Sequence, residues 1–191
     1  MYGVDYFKQI NHEESEQAIR LAKLLNWKYS PNSVADIGSA TGLYLKPFYE
    51  MGIKVTGIDS AISVIDPSVV QIPKNMIKNL DITKDPIKIK ADLSLCIEVF
   101  EHINEKYAEK AVENLISISN TIIFSAAQPG QGGLGHINCQ PKEYWQKLFN
   151  SNGYVRDLED EEYFKIIMAS GYHMGWLINN LMVFKKNLDL K

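Results

Sequence analysis

The residues able to do chemistry fall in two groups. The first is Asp36-Ile37-Gly38-Ser39-Ala40-Thr41-Gly42, where a short apolar run ends in an acid and a glycine-rich turn follows at once. Gly38 and Gly42 can take backbone angles closed to other residues and put no Cβ between backbone and ligand. The N–H groups of such a turn can face a nucleotide-like ligand. Roughly 20 residues on, Asp59-Ser60 ends the next apolar run, where an acid can accept from both hydroxyls of a ribose. Asp is also a favoured helix N-cap, and both roles are compatible. The turn carries no Lys of the phosphate-loop kind, and Ala40 stands where Gly-x-Gly-x-x-Gly has its second glycine. A buried structural turn is the plain alternative.

The second group holds the histidines and their neighbouring acids. His136 closes the glycine-rich stretch 128–136, and imidazole titrates near neutral pH, so His136 is the first candidate for a general base. A substrate hydrogen-bond donor or a loop-fixing side chain are its other readings. His102, next to Glu101, is the second candidate base. His12 is expected exposed on a helix, and His173 on a surface turn. There is no Ser/His/Asp constellation. No Cys/His cluster has zinc spacing, so no metal is expected.

The elements that would position these groups alternate. Asn11 reads as the cap of a helix ending near Trp27, with Glu13, Glu14 and Glu16 in its first turn and Ala18, Leu21, Ala22 and Leu25 on its apolar stripe. Residues 1–10, with aromatic Tyr2, Tyr6 and Phe7, read as a docked terminus in preference to a flap. Strands are expected at 34–37 and 54–59, and then at 91–99, 121–127, 154–158 and 176–184, while residues 75–80 lead to Asp81-Ile82. Helices are expected at 43–51 (with a kink allowed at Pro47), 105–118, 141–149 and 159–169, and a tail from Lys185. Tyr144 and Trp145 read as helix core. The run 91–99, nearly continuous in apolar residues and interrupted by Glu98 at its carboxyl end, suits a central strand covered on both faces, and Cys96 within it reads as a small core residue. Alternation of this kind implies a parallel α/β sheet, whose ligands bind at the carboxyl ends of the strands.

The chain has 191 residues, a length that fits one domain, with a helical cap over 1–30 and a core over 34–185. Net charge is −3, which disfavours a broad nucleic-acid footprint. No apolar run is long enough to span a membrane, and residues 1–5 lack the features of a secretory signal, so a cytoplasmic protein is expected. The two cysteines, Cys96 and Cys139, form no disulfide framework.

Asp36–Gly42 and Gly57-Ile58-Asp59-Ser60 resemble the first two motifs of class I S-adenosylmethionine-dependent methyltransferases. Asp92 through Ile103, with Glu98-Val99-Phe100-Glu101-His102, resembles that family's fourth-strand motif. Gly135-His136-Ile137-Asn138 and Glu143-Tyr144-Trp145 resemble a segment of methyltransferases that modify small molecules and sugars. The resemblance spans residues 34–184. It implies a Rossmann-like three-layer sandwich whose sheet of seven strands is mostly parallel, with the last strand antiparallel. It implies S-adenosylmethionine (SAM) as cofactor and S-adenosylhomocysteine (SAH) as product. Asp36, Gly38, Ser39, Ala40, Gly42, Asp59 and Ser60 would hold the cofactor, residues 75–80 would form the third strand with Asp81 and Ile82 at its end flanking the adenine, and Glu98 would hold the cofactor or order a loop. His102 in this family lies near the pocket floor. The implied acceptor is a small molecule or sugar, most simply methylated at oxygen, with no membrane partner. An RNA or protein methyltransferase and an inactive cofactor-binding relative are the alternatives. A nicotinamide dehydrogenase fits the turn and acid but not the Gly-x-x-x-Gly spacing. Oligomeric state is left open.

Overall fold

A computed structural model describes residues 3–171 and 175–188. Seven strands, β1 (Ser33–Ile37), β2 (Lys54–Ile58), β3 (Ile77–Lys78), β4 (Leu93–Ile97), β5 (Thr121–Ser125), β6 (Tyr154–Arg156) and β7 (Met182–Lys186), form one sheet in the order β3-β2-β1-β4-β5-β7-β6. The pairs β3·β2, β2·β1, β1·β4 and β4·β5 are parallel, and β7 runs antiparallel to both β5 and β6. This is the mostly parallel sheet with an antiparallel last strand that the sequence implies. Alternate residues of each strand serve opposite faces. Val34, Leu93, Leu95, Ile123 and Val183 pack under α2 (Ser15–Tyr29), α3 (Lys46–Glu50), α6 (Leu158–Ala169) and α7 (Gly175–Asn180). Ala35, Ile37, Cys96, Phe124 and Phe184 pack under α4 (Ala108–Ile116) and α5 (Lys142–Ser151). Trp145 is fully buried there, edge-on to Phe100, while Phe149 stacks on Phe184 with ring centroids 3.8 Å apart. Cys96 is a buried core residue.

Several elements differ from the sequence expectation. Residues 4–13 form a helix of their own, α1 (Val4–Glu13), so Asn11 lies inside it and caps nothing. Asn11 is instead a tether: its Nδ2 donates to Val69 O at 2.8 Å and its Oδ1 accepts from Thr41 Oγ1 at 2.8 Å. The next helix, α2, runs past Trp27 and ends where Ser30 turns left-handed (φ 45°). Residues 43–45 belong to the glycine turn rather than a helix, and Pro47 falls in the first turn of α3, where its missing N–H breaks no helical bond and causes no kink. Residues 105–107 form a tight 3₁₀ turn before α4. The expected strand at 176–184 is split into α7 and β7, and Lys185 lies in that strand, not in a tail. Leu177 and Leu181, four apart, are both fully buried, a helical spacing that a mostly apolar run conceals. His173 and Tyr2 lie outside the described residues. Among those described, no helix is long and apolar enough to cross a membrane.

One polar cluster joins α2, α6 and β7. Asp160 accepts from Tyr29 Oη at 2.6 Å and pairs with Lys28 at 2.7 Å and Lys185 at 2.6 Å, while Lys185 also reaches Asp157 at 2.7 Å. Burial alone would push the Asp160 carboxyl up, but Lys185, Lys28 and Tyr29 outweigh it and hold it at about 2. A carboxylate lowered from its ordinary 3.8 contributes stability that is fully present above pH 4 and lost as pH falls toward 2. Asp160→Asn should therefore cost roughly 2 kcal/mol at pH 7 and flatten the loss of stability between pH 4 and pH 2. Urea denaturation of both proteins across that range checks it.

Candidate functional site

The site begins where β1 stops. Gly38 N and Ser39 N both donate to Ile58 O, at 2.8 and 3.2 Å, so the turn folds over the end of β2. Gly38, Ala40 and Gly42 all adopt positive φ, 72°, 45° and 79°. Ala40 tolerates this because its N–H is anchored: Asp59 Oδ2 accepts from it at 2.8 Å. Asp59 Oδ1 accepts from Ala61 N at 2.7 Å, the capping role that its position suggests. Each Asp59 oxygen keeps a second lone pair for a ligand. At Gly38 a Cβ would stand 2.4 Å from Val99 Cγ2, so this glycine is needed for space as well as for its φ. Asp36 is buried beneath the turn, and burial, helped by the nearby Asp59 carboxylate, pushes its carboxyl well above the usual range.

Two cavities open around this turn, of about 560 and 410 Å³. Both are lined by Gly38, Asp59, Val99 and His102, so they form two lobes of one cleft. The smaller lobe is lined by Ser60, Asp81 and Ile82. Asp81 is turned into its own loop: it accepts from Thr83 N and Oγ1 at 2.8 and 2.6 Å and pairs with Lys84 at 2.8 Å. The larger lobe takes in Asp36, Ser39, Ala40, Glu98, His102 and His136. Gly42 lines neither lobe and supports the turn from behind. Helix α1 covers the larger lobe with Tyr6, Phe7 and Ile10, and Glu14 beyond it accepts from Tyr44 Oη at 2.9 Å. Burial pushes the Glu14 carboxyl up.

The far wall is built on the end of β4. Glu98 sits left-handed (φ 52°), with its N–H on Ser125 O at 3.0 Å. Asn180 Nδ2, from the end of α7, lies 3.1 Å from both Glu98 oxygens and 2.9 Å from Gln131 Oε1. Gln131 Nε2 donates to Glu98 Oε2 at 3.3 Å, so Glu98 orders the glycine loop. Glu101 holds the same loop through its backbone carbonyl, which accepts from Ile137 N at 2.9 Å and Asn138 N at 3.0 Å. Its carboxyl group is buried without a fully formed hydrogen bond; the backbone N–H groups of Glu101 and Ala127 and the Glu98 carboxyl group are the polar groups that act on it. Burial first, and the Glu98 charge second, raise that carboxyl to about 8. His102 and His136 meet edge to face with ring centroids 5.0 Å apart. His102 Nδ1 lies 3.1 Å from Gly135 O, and His136 Nδ1 lies 3.2 Å from Gln131 O. The protein packed around His102 pushes its imidazole pKa down. At Gly133 a Cβ would fall 2.2 to 2.6 Å from three atoms of the His136 ring, so the loop closes against that ring only because residue 133 is glycine.

Sequence reasoning missed Asn180, Gln131 and the whole covering face of α1. Glu101 was visible as part of a motif but had no assigned role. Nothing in the sequence signals Asn180, since its segment reads as strand. Substituting Gly38→Ala should lower stability by about 2–3 kcal/mol, from the positive φ and the clash with Val99. Equilibrium urea unfolding measures it, and a loss below 0.5 kcal/mol on the order of experimental error would sink this account.

No protein-family model matches the chain, and no curated protein matches it in sequence. Solved structures do. A SAM-bound amino pentose methyltransferase from Micromonospora echinaspora, involved in calicheamicin biosynthesis, is 12% identical with a TM-score of 0.68, over 97% of this chain and 98% of that one. Magnesium protoporphyrin IX methyltransferase from Synechocystis PCC 6803, with bound SAH, is 16% identical with a TM-score of 0.60, over 82% and 80%. A small RNA methyltransferase is 16% identical with a TM-score of 0.60, over 90% of this chain but 25% of that one. The chain thus has the fold of class I SAM-dependent methyltransferases.

Proposed function

We propose that the protein is a SAM-dependent methyltransferase acting on a small-molecule or sugar acceptor, at oxygen. The observation that carries this reading is the two-lobed cleft, with the Asp59-bound glycine turn on one side and the His102–His136 pair on the other. Its fold and the SAM and SAH found in structures of that fold support the cofactor. In this reading the ribose hydroxyls donate to the free lone pairs of Asp59, and the adenine enters the smaller lobe against Ile82. The methionyl part crosses the turn at Gly38, Ser39 and Ala40. Ser39 Oγ is buried without a partner and is suited to donate to it.

Methyl transfer from a sulfonium needs little from the protein beyond alignment, and holding two reactants in line supplies many powers of ten. The acceptor hydroxyl would lie in the larger lobe with its oxygen behind the methyl carbon. As the O–C bond forms, the C–S electron pair goes to sulfur, which leaves SAH. The hydroxyl proton passes to Nε2 of His136, or of His102, since each Nδ1 faces a backbone carbonyl and carries the proton of the neutral ring. Such a base contributes about 10²–10⁴-fold. A lobe of about 560 Å³, roofed by α1 and shared with the methionyl part, favours a small acceptor over a polymer.

Calorimetric titration tests the reading directly. SAM and SAH should each bind one site with a Kd of roughly micromolar order, and Asp59→Ala should weaken both by about 30-fold or more. Absence of binding to either ligand, or tight binding of NADH instead, would overturn it.

A further inference from the structure

We infer that Glu101, His102 and His136 form a binding site for a divalent first-row transition cation at the acceptor end of the cleft. One ligand atom from each of the three lies within 4.8 Å of the others. Ligands at about 2.1 Å from such an ion stand up to about 4.2 Å apart, so small side-chain shifts close the site.

Three independent features point the same way. First, both carboxylate oxygens of Glu101 are buried without a fully formed hydrogen bond, approached only by the backbone N–H groups of Glu101 and Ala127 and by the Glu98 carboxyl group. A carboxylate in that setting has exchanged its water for weak backbone contacts, and a cation supplies a full partner. Second, both imidazoles are already oriented as ligands. Each Nδ1 faces a backbone carbonyl, from Gly135 and Gln131 respectively, and a carbonyl only accepts. The proton of each neutral ring therefore sits on Nδ1 and the lone pair on Nε2, the arrangement that holds metal-binding histidines in place. Third, a Cβ at Gly133 would stand over the His136 ring face beside Nε2, 2.2 to 2.6 Å from three ring atoms, so the glycine leaves room for a ligand around that nitrogen. Glu98 stays engaged with Asn180 and Gln131 and holds the loop that carries His136.

The donor set identifies the ion class. Two imidazoles select first-row transition cations over magnesium or calcium, and the absence of thiolate from the three excludes a soft-metal site. Three protein ligands on one side leave positions open toward the larger lobe. This role deepens the methyltransferase reading and rests on it. A bound cation would take an acceptor hydroxyl oxygen as ligand and acidify it. The proton would leave to bulk water, the metal-bound alkoxide would form the O–C bond, and the C–S pair would pass to sulfur. In the loaded protein both Nε2 lone pairs are occupied, and neither histidine acts as the base.

Metal binding is measured on chelator-treated, cofactor-free protein, titrated with Co²⁺ followed by its visible absorption and with Mn²⁺ followed by loss of the free-ion resonance signal. The expected result is one ion per chain, with affinity falling at least about 30-fold in Glu101→Gln while SAH affinity changes less than about 3-fold. His12→Gln, a histidine outside the cleft, should bind as the unaltered protein does. If Glu101→Gln loses its cooperative thermal transition, His136→Gln carries the same expectation from the loop side. No Co²⁺ or Mn²⁺ binding, or binding that survives both cleft variants, overturns the inference. Metal binding without SAH binding would leave the site standing and remove the methyltransferase reading, so the two failures are distinct.

Discussion

The cleft depends on the carboxylate of Asp59 and the two backbone amides it accepts from, Ala40 N at 2.8 Å and Ala61 N at 2.7 Å. A chain leaving β1 must reverse over the end of β2 without a side chain at Gly38 and with a non-glycine residue left-handed at position 40. Left-handed backbone at an ordinary residue costs about 1–2 kcal/mol, and a charge-assisted hydrogen bond to that residue's N–H is of comparable size. Asp59 thereby holds the turn open as a cradle and prevents it from relaxing onto Val99. The parallel pairing of β1 with β2, in register from Ser33↔Lys54 to Ile37↔Ile58, brings the acid to the turn. Topology thus fixes a contact between residues 19 apart in sequence.

The opposite wall is built by the same means on a different strand. Glu98 turns left-handed at the end of β4, as Ala40 does after β1, and is again held by a backbone bond, to Ser125 on the neighbouring strand. That bend directs the Glu98 carboxylate at Asn180 and Gln131, and three residues on, Glu101 clamps the loop carrying His136. The two walls meet at Val99, whose side chain fills the space a Cβ at Gly38 would need. A change in either turn is therefore felt by the other.

Much of this was legible in the sequence because the motifs are local. Glycine turns, acids at strand ends and a continuous apolar strand each report on a few consecutive residues, and the resemblance tied them to one fold. What escaped depends on contacts distant in sequence. Residues 176–184 are apolar save for Asn179-Asn180, so periodicity does not mark α7 off from β7, and Asn180 at their junction could not be assigned to Glu98, 82 residues away. Asn11 has the chemistry of a cap and was read as one, but its partners are Thr41 and Val69, known only once α1 docks. The Glu101–His102–His136 cluster has no characteristic spacing, since a sheet-end turn and a loop from the next strand supply its members.

The cleft is unusual in how many acids it buries. Burial raises the carboxyl groups of Asp36, Glu14, Glu98 and Glu101 above their ordinary values. Such clustering disfavours the charged forms and would be costly in a structural core. It is reasonable in a site that receives positive charge, because a cationic ligand offsets the repulsion and draws the groups back toward ionisation. Under the methyltransferase reading the cofactor brings a sulfonium and leaves as a neutral thioether, so the same acids that favour SAM release their hold on SAH once the methyl group has gone. The electrostatics of the empty cleft and the change in charge across the reaction are complementary. That match is an argument for the reading that does not depend on any one side chain.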